Sequence, residues 1–209
     1  MFKKVVSLLL ISVCLLANQA DKAEQFIYNI INLIKQKEYE KAIIYCQTDS
    51  HINRGNATTT VALFLIDGGF GIEKDIKKGH ELLKKAIELN NAGAMYELGL
   101  SYYNGLSIAK DEEKGLYYIH KAAELHNKKA VYFLGLTYIQ KNPKLAFKYL
   151  SEAASQGYHP GMYNLSVMYA EGTGVLKNMK KAKYWISKSY DLGNKDAPKA
   201  WNHFELWKY

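Results

Sequence analysis

Three groups of side chains have the types and spacing to do chemistry. Ser107 and Lys110 form a Ser-x-x-Lys, the spacing in which an acylating serine keeps a lysine one turn away. Ten serines in so lysine-rich a chain give about one such spacing by chance, and the Ser-Asp-Asn and Lys-Thr-Gly that complete such a site are missing. The six histidines, at 51, 80, 120, 126, 159 and 203, include no His-x-x-x-His pair, and there is no Cys-x-x-Cys. No metal is expected, and solvated helix positions account for the histidines. With neither a G-x-x-x-x-G-K-[ST] loop nor a G-x-S-x-G elbow, no cofactor is expected either. Tyrosine is the third group, 17 of the 27 aromatic residues. Its chemistry is contact: a large rigid surface ordered at low entropic cost.

These side chains stand on a chain of ordinary globular composition. Of 209 residues 48% are apolar and 23% charged, and Gly and Pro together number 18, which excludes disordered and collagen-like chains. The net charge of +8 is lysine charge, since Arg54 is the only arginine. Phosphate and base recognition favour arginine forks, so nucleic acid is not expected as a partner. Lysine pairs such as Lys77-Lys78 and Lys84-Lys85 are read as solvated helix faces, leaving at most a weak attraction to a membrane or wall surface. Two cysteines, Cys14 and Cys46, cannot staple a disulfide framework. Cys46 closes the pattern Ala42-Ile43-Tyr45-Cys46 and is read as a small buried hydrophobe.

Residues 1–20 have the three-part layout of an export signal. Lys3 and Lys4 precede an apolar run from Val5 to Leu16, and Ala17-Asn18-Gln19-Ala20 closes it. The run falls short of the roughly 20 residues that span a bilayer, so cleavage after Ala17 or Ala20 is expected. Cys14 after Ile11-Ser12-Val13 offers lipidation as the alternative, which Val13 disfavours because a small residue belongs there. An exported product, periplasmic or secreted, follows, with a mature charge of +6 after loss of Lys3 and Lys4.

The rest of the chain repeats. Ala94-Met-Tyr-Glu-Leu98-Gly99-Leu-Ser-Tyr102 aligns with Ala130-Val-Tyr-Phe-Leu134-Gly135-Leu-Thr-Tyr138 at a period of 36, and Gly161-Met-Tyr-Asn-Leu165-Ser166-Val-Met-Tyr169 follows after 31. Lys121-Ala-Ala-Glu124, Glu152-Ala-Ala-Ser155 and Lys188-Ser-Tyr-Asp191 share a second column. Four units result, at 58–93, 94–129, 130–160 and 161–196, the third shortened between Tyr138 and Asn142.

Each unit reads as two helices. Ala94, Leu98, Gly99 and Tyr102 make one helical stripe, and Gly115, Tyr118, Ala122 and Leu125 the next. Asp75, Asp111, Asn142 and Asn178 stand in the column that caps the second helix, with Pro143 directly after its cap. Asn90, His126, Gly157 and Gly193 fill the column where a left-handed residue ends that helix, His126 fitting least well. Tyr102, Tyr138 and Tyr169 belong to the core between helices. Residues 21–57 supply two capping helices, and 197–209 one further capping helix with Trp201, Phe204 and Trp207, whose stripe packs on the last unit or serves as a docking site.

The pattern A-x-x-x-L-G-x-x-Y-x-x-G, an Asp or Asn cap and K-A-x-x-W/Y with K-A-A-E resembles the Sel-one-like repeats, relatives of tetratricopeptide repeats. Ala94 to Glu124 and Gly161 to Tyr190 match best, the latter through Glu171-Gly-Thr-Gly-Val175 and Lys181-Ala-Lys-Tyr-Trp185. Departures are Ala62-Leu63 in place of Leu-Gly, the shortened third loop, and Gly79 and Gly115 in place of a second-helix Ala. The resemblance implies an all-α fold, a right-handed α/α superhelical solenoid acting as a scaffold or adaptor. Some secreted members are described as penicillin-binding or β-lactamase-like, which makes a cell-wall enzyme acylated at Ser107 the alternative. Those cysteine-rich members carry a cysteine pair in each repeat, which this sequence lacks.

In the tetratricopeptide register the concave face is lined by the first helix of each unit. Its columns hold Tyr96, Tyr132 and Tyr163, or the neighbouring Glu97, Phe133 and Asn164, followed by Leu100, Leu136, Val167 and Tyr103. The tyrosines serve either as binding anchors or as repeat packing. The expectation is a monomeric, non-catalytic scaffold for protein-protein interaction, holding a protein or peptide in that groove.

Overall fold

The computed structural model describes residues 20–49, 52–106 and 108–209. The export segment, save Ala20, and Ser107 of the Ser-x-x-Lys lie outside the described residues. Among the described residues the chain forms α1 (Ala20–Lys35), α2 (Tyr39–Cys46), α3 (Arg54–Asp67), α4 (Ile76–Glu88), α5 (Ala92–Asn104) and α6 (Glu112–Glu124). It continues with α7 (Lys128–Tyr138), α8 (Pro143–Ser155), α9 (His159–Glu171), α10 (Met179–Asp191), α11 (Ala197–His203) and a 3-10 turn at Leu206–Lys208. Among the described residues a β-bridge pairs Gly69 with Ile72. Two compact units divide it, Met1–Asp111 and Glu112–Tyr209. In the first, α3 packs on α4 and α4 on α5; in the second, α7 packs on α8, α8 on α9 and α9 on α10.

Helix boundaries follow from capping. Asp75, Asn142 and Asn178 each accept the backbone N–H three residues on, at 2.9, 3.1 and 2.9 Å. Each such bond satisfies one of the free N–H groups at a helix start, worth about 1 kcal/mol. Asp111 occupies the same column, and its own N–H donates to the Tyr102 carbonyl at 2.9 Å. At the other end Asn90, His126, Gly157 and Gly193 all adopt positive φ, 55°, 58°, 77° and 86°. After each, the next N–H reaches back to the carbonyl five residues before it, as from Asn127 to Ala122 at 3.0 Å. This closes the helix with a left-handed residue. Lys37 does the same after α1, with φ 60°.

The core follows the repeated columns. Leu83, Leu98, Ile119, Leu134, Leu150, Leu165 and Ile186 are fully buried, and removing such a side chain costs about 2–5 kcal/mol. Small residues set the helix spacing. A Cβ on Gly135 would stand 2.8 Å from the Leu150 side chain. In the first repeat, where Leu63 replaces the Gly of that column, Gly79 of α4 supplies the close approach, since a Cβ there would meet the Ala62 carbonyl at 2.9 Å. That contact gives the glycine at this place in α4 a structural reason.

Several expectations need correction. Leu125 lies beyond the end of α6 and is 46% exposed, because the helix closes at Glu124 one residue short of the stripe. The C-terminal helix is two pieces: α11 ends at His203, Glu205 turns left-handed at φ 48°, and the 3-10 turn buries Leu206. Trp201 and Phe204 pack against the core as expected of a cap, whereas Trp207 is 52% exposed. Of the repeated tyrosines, Tyr169 is buried while Tyr102 and Tyr138 are half-buried, Tyr138 stacking on Tyr149 with ring centres 5.9 Å apart. His80 is buried, not solvated, and its Nε2 makes no hydrogen bond. Cys46 is buried as expected, and that burial pushes its thiol up to about 12.

Candidate functional site

In the second unit, α7 and α9 present an aromatic and amide cluster. Asn164 on α9 donates through Nδ2 to the Tyr132 hydroxyl on α7 at 3.1 Å and to the Pro160 carbonyl at 3.0 Å. Tyr158, which precedes α9, sets its ring edge-on to Tyr132 with centres 5.2 Å apart. Lys128 at the start of α7 holds its ammonium 6.0 Å from the Tyr158 ring centre, within the range of a cation–π contact. His159 adjoins them, with Nδ1 buried and without a hydrogen-bond partner.

Local sequence explains why these groups gather. Tyr158 occupies the cap position that Asn91 and Asn127 fill before α5 and α7, where they accept the N–H groups of Ala94 at 2.8 Å and Ala130 at 3.1 Å. A phenol cannot fold back to cap, and Tyr158 makes no such bond. Its ring turns to Tyr132 instead. Pro160 in the first turn of α9 has no N–H to satisfy, which softens the loss of the cap.

The environment keeps the cluster neutral. Burial pushes the Tyr132 phenol up, the Asn164 hydrogen bond opposes this, and Tyr163 adds to it. Burial and the Tyr132 neighbour push Tyr158 up. Burial first, then Lys128, lowers the proton affinity of His159. Two protonated phenols, a neutral imidazole and an amide form a surface that donates and accepts hydrogen bonds beside ring faces. Among the described residues no cluster of three His, Cys, Asp or Glu has the geometry to hold a metal ion.

Of the sequence-derived residues, Tyr132 and Tyr163 are half-buried, each packed against a core cluster as well as facing the site. Leu136, one turn beyond Tyr132, is 40% exposed, and Val167 follows Tyr163 on α9 as a half-buried residue. Tyr96, Leu100 and Tyr103 lie half-buried on α5 in the first unit. There the polar centre is Asn91, whose Oδ1 also accepts the Thr59 hydroxyl at 3.0 Å and whose Nδ2 donates to Asn56 at 2.7 Å, joining α3 to α5. Tyr158, His159 and Lys128 were not among the sequence-derived residues. The available signal was Tyr158 itself, a ring in a column of asparagines.

The family model described as Sel1 repeat matches residues 61–91, 92–127, 130–158 and 159–194. No curated protein sequence matches the chain. Among solved structures, a Sel1 repeat protein from Oxalobacter formigenes is 25% identical with a TM-score of 0.65, covering 76% of this chain and 66% of its own. A protective antigen from uropathogenic Escherichia coli, displaying an SLR fold, is 22% identical with a TM-score of 0.62, covering 75% of this chain and 34% of its own. An immunity protein from Pseudomonas aeruginosa is 26% identical with a TM-score of 0.57, covering 87% and 70%. The chain therefore spans just under two thirds of the first of these proteins and about a third of the second.

Proposed function

The chain belongs to the Sel1 repeat family, and from that premise we propose that it is an exported, monomeric, non-catalytic scaffold that holds a protein or peptide partner on the first helices of its repeats. The fold is consistent with a protein-interaction role. The observation that carries the reading is the Tyr132, Tyr158 and Asn164 cluster, where a capping asparagine has given way to a ring and ring faces adjoin hydrogen-bonding groups. Burial concentrates binding energy in such aromatic anchors. The likeness to a structure described as an immunity protein makes an immunity role one form that partner binding would take here.

The test is capture by cross-linking from the native cell envelope. Tyr132→Ala, like Tyr96→Ala tested separately on the first unit, lowers capture while the helical circular dichroism stays unchanged; unchanged capture in both rules the first-helix faces out as binding sites. Export has a separate readout, since the mature N-terminus begins at Asn18 or Asp21 if the signal is cleaved as expected. A labelled penicillin that acylates the purified protein, and fails to do so in Ser107→Ala, would replace the scaffold with the enzyme.

A further inference from the structure

The positive charge belongs to one unit. Met1–Asp111 carries 13 basic and 12 acidic side chains, whereas Glu112–Tyr209 carries 15 and 8. Between residues 128 and 188 ten lysines meet only two acids, Glu152 and Glu171. Lys121, Lys199 and Lys208 each pair with an acid three residues away, Glu124, Asp196 and Glu205. None of the lysines from 141 to 188 forms one among the described residues.

Packing gathers part of this charge at one edge. Gly174, at φ 68°, lies so close to the start of α8 that a Cβ on it would stand 2.2 Å from the Pro143 carbonyl oxygen. The α9–α10 connection is thereby pressed against the beginning of α8. Exposed Lys141 and Lys144 flank Pro143, and exposed Lys177 and Lys180 follow Gly174. Among them stands Leu176, 89% exposed, the most exposed large apolar side chain described. Glu171, the acid of this connection, is engaged by the Thr173 hydroxyl at 3.3 Å.

An exposed apolar side chain next to exposed lysines without ion pairs suits an interface with apolar depth and anionic headgroups. Lysine is a point charge on a flexible stem, matched to a diffuse anionic surface and not to bidentate reading of one phosphate. Its stem can lie along the interface while the ammonium stays at headgroup level. Charge and the apolar side chain act together, which suits a reversible attachment stronger than either would give alone.

We propose that this edge, Lys141, Lys144, Lys177 and Lys180 around Leu176, docks on an anionic phospholipid membrane, with Leu176 entering the interface. It is separate from the aromatic cluster, so the two can fail independently. The test is co-sedimentation of the full chain with phosphatidylcholine vesicles, with and without phosphatidylglycerol. Binding appears only with phosphatidylglycerol and falls as salt rises. Each lysine at the surface contributes roughly five-fold, so Lys144→Gln, Lys177→Gln and Lys180→Gln together lower the partition about a hundred-fold. The same charge loss at Lys121, Lys199 and Lys208 changes it little, and Leu176→Ser lowers it about ten-fold. No sedimentation, equal sedimentation with neutral vesicles, or equal loss in both lysine triples overturns the proposal. So does binding to soluble polyglutamate that matches vesicle binding and is indifferent to Leu176→Ser, which would make the edge a site for an acidic protein.

Discussion

The Asn164 amide donates to the Tyr132 hydroxyl at 3.1 Å, tying first helices of successive repeats across 32 residues of sequence. The same amide holds the Pro160 carbonyl of its own helix at 3.0 Å, so it is committed in two directions at once. Tyr132→Phe removes one bond and is expected to cost about 0.5–1.5 kcal/mol, a fall of a few degrees in melting temperature. Asn164→Ala removes both and falls further. Thermal melts followed by circular dichroism decide the order, and an unchanged melt for Tyr132→Phe would mean that the bond contributes nothing.

Tyr158→Asn exchanges a ring contact for a helix cap. The cap gains about 1 kcal/mol, and the lost edge-on pair with Tyr132 costs a similar amount. Stability is therefore expected to stay within a few degrees of the parent while partner capture drops. A clear rise in melting temperature with undiminished capture would show the ring to be without a binding role.

His126 holds a left-handed conformation, φ 58°, in a column where the third and fourth repeats place glycine. Its contact with Glu152, 3.4 Å and largely in solvent, contributes little. His126→Gly is expected to stabilise by about 0.5–1 kcal/mol, seen as a higher urea midpoint with an unchanged slope. A lower midpoint would show that the histidine contact outweighs the backbone strain.

His80 gives the fold an acid sensitivity. Burial first, and Lys84 one turn on, lower its proton affinity below the ordinary value of 6.5. The unfolded chain then binds the proton more readily than the folded one, so its contribution is complete above about pH 6.5 and is lost as pH falls below that value. Urea titrations at about pH 7.5 and pH 5 are expected to show lower stability in acid, with a smaller difference in His80→Leu. His159, lowered in the same direction, leaves part of the difference in place. An identical pH difference in His80→Leu would remove His80 from this account.

Repetition makes the architecture legible in the sequence. The caps at Asp75, Asn142 and Asn178 and the left-handed closures at Asn90, His126, Gly157 and Gly193 recur in fixed columns, and a column carries the same backbone demand wherever it falls. Departures from repetition were harder to read. Glu205 breaks the terminal helix outside any column, and Leu125 falls one residue past the end of α6. Burial of His80 depends on how α4 packs, which the histidine spacing does not encode. Tyr132 and Tyr163 were open between anchor and packing, and both pack on core clusters while bordering the candidate site. The net charge of +8 does not show its concentration after Glu112, because the boundary between units falls inside the second repeat.

The first-helix face of α7 and α9 is the surface proposed to hold a protein partner. A photo-crosslinking side chain at Leu136, exposed on that face, and another at Tyr184, exposed on α10, test it most directly in cells. A discrete cross-linked protein is expected from position 136 and none from position 184. Cross-linking from 184 with none from 136 would contradict it.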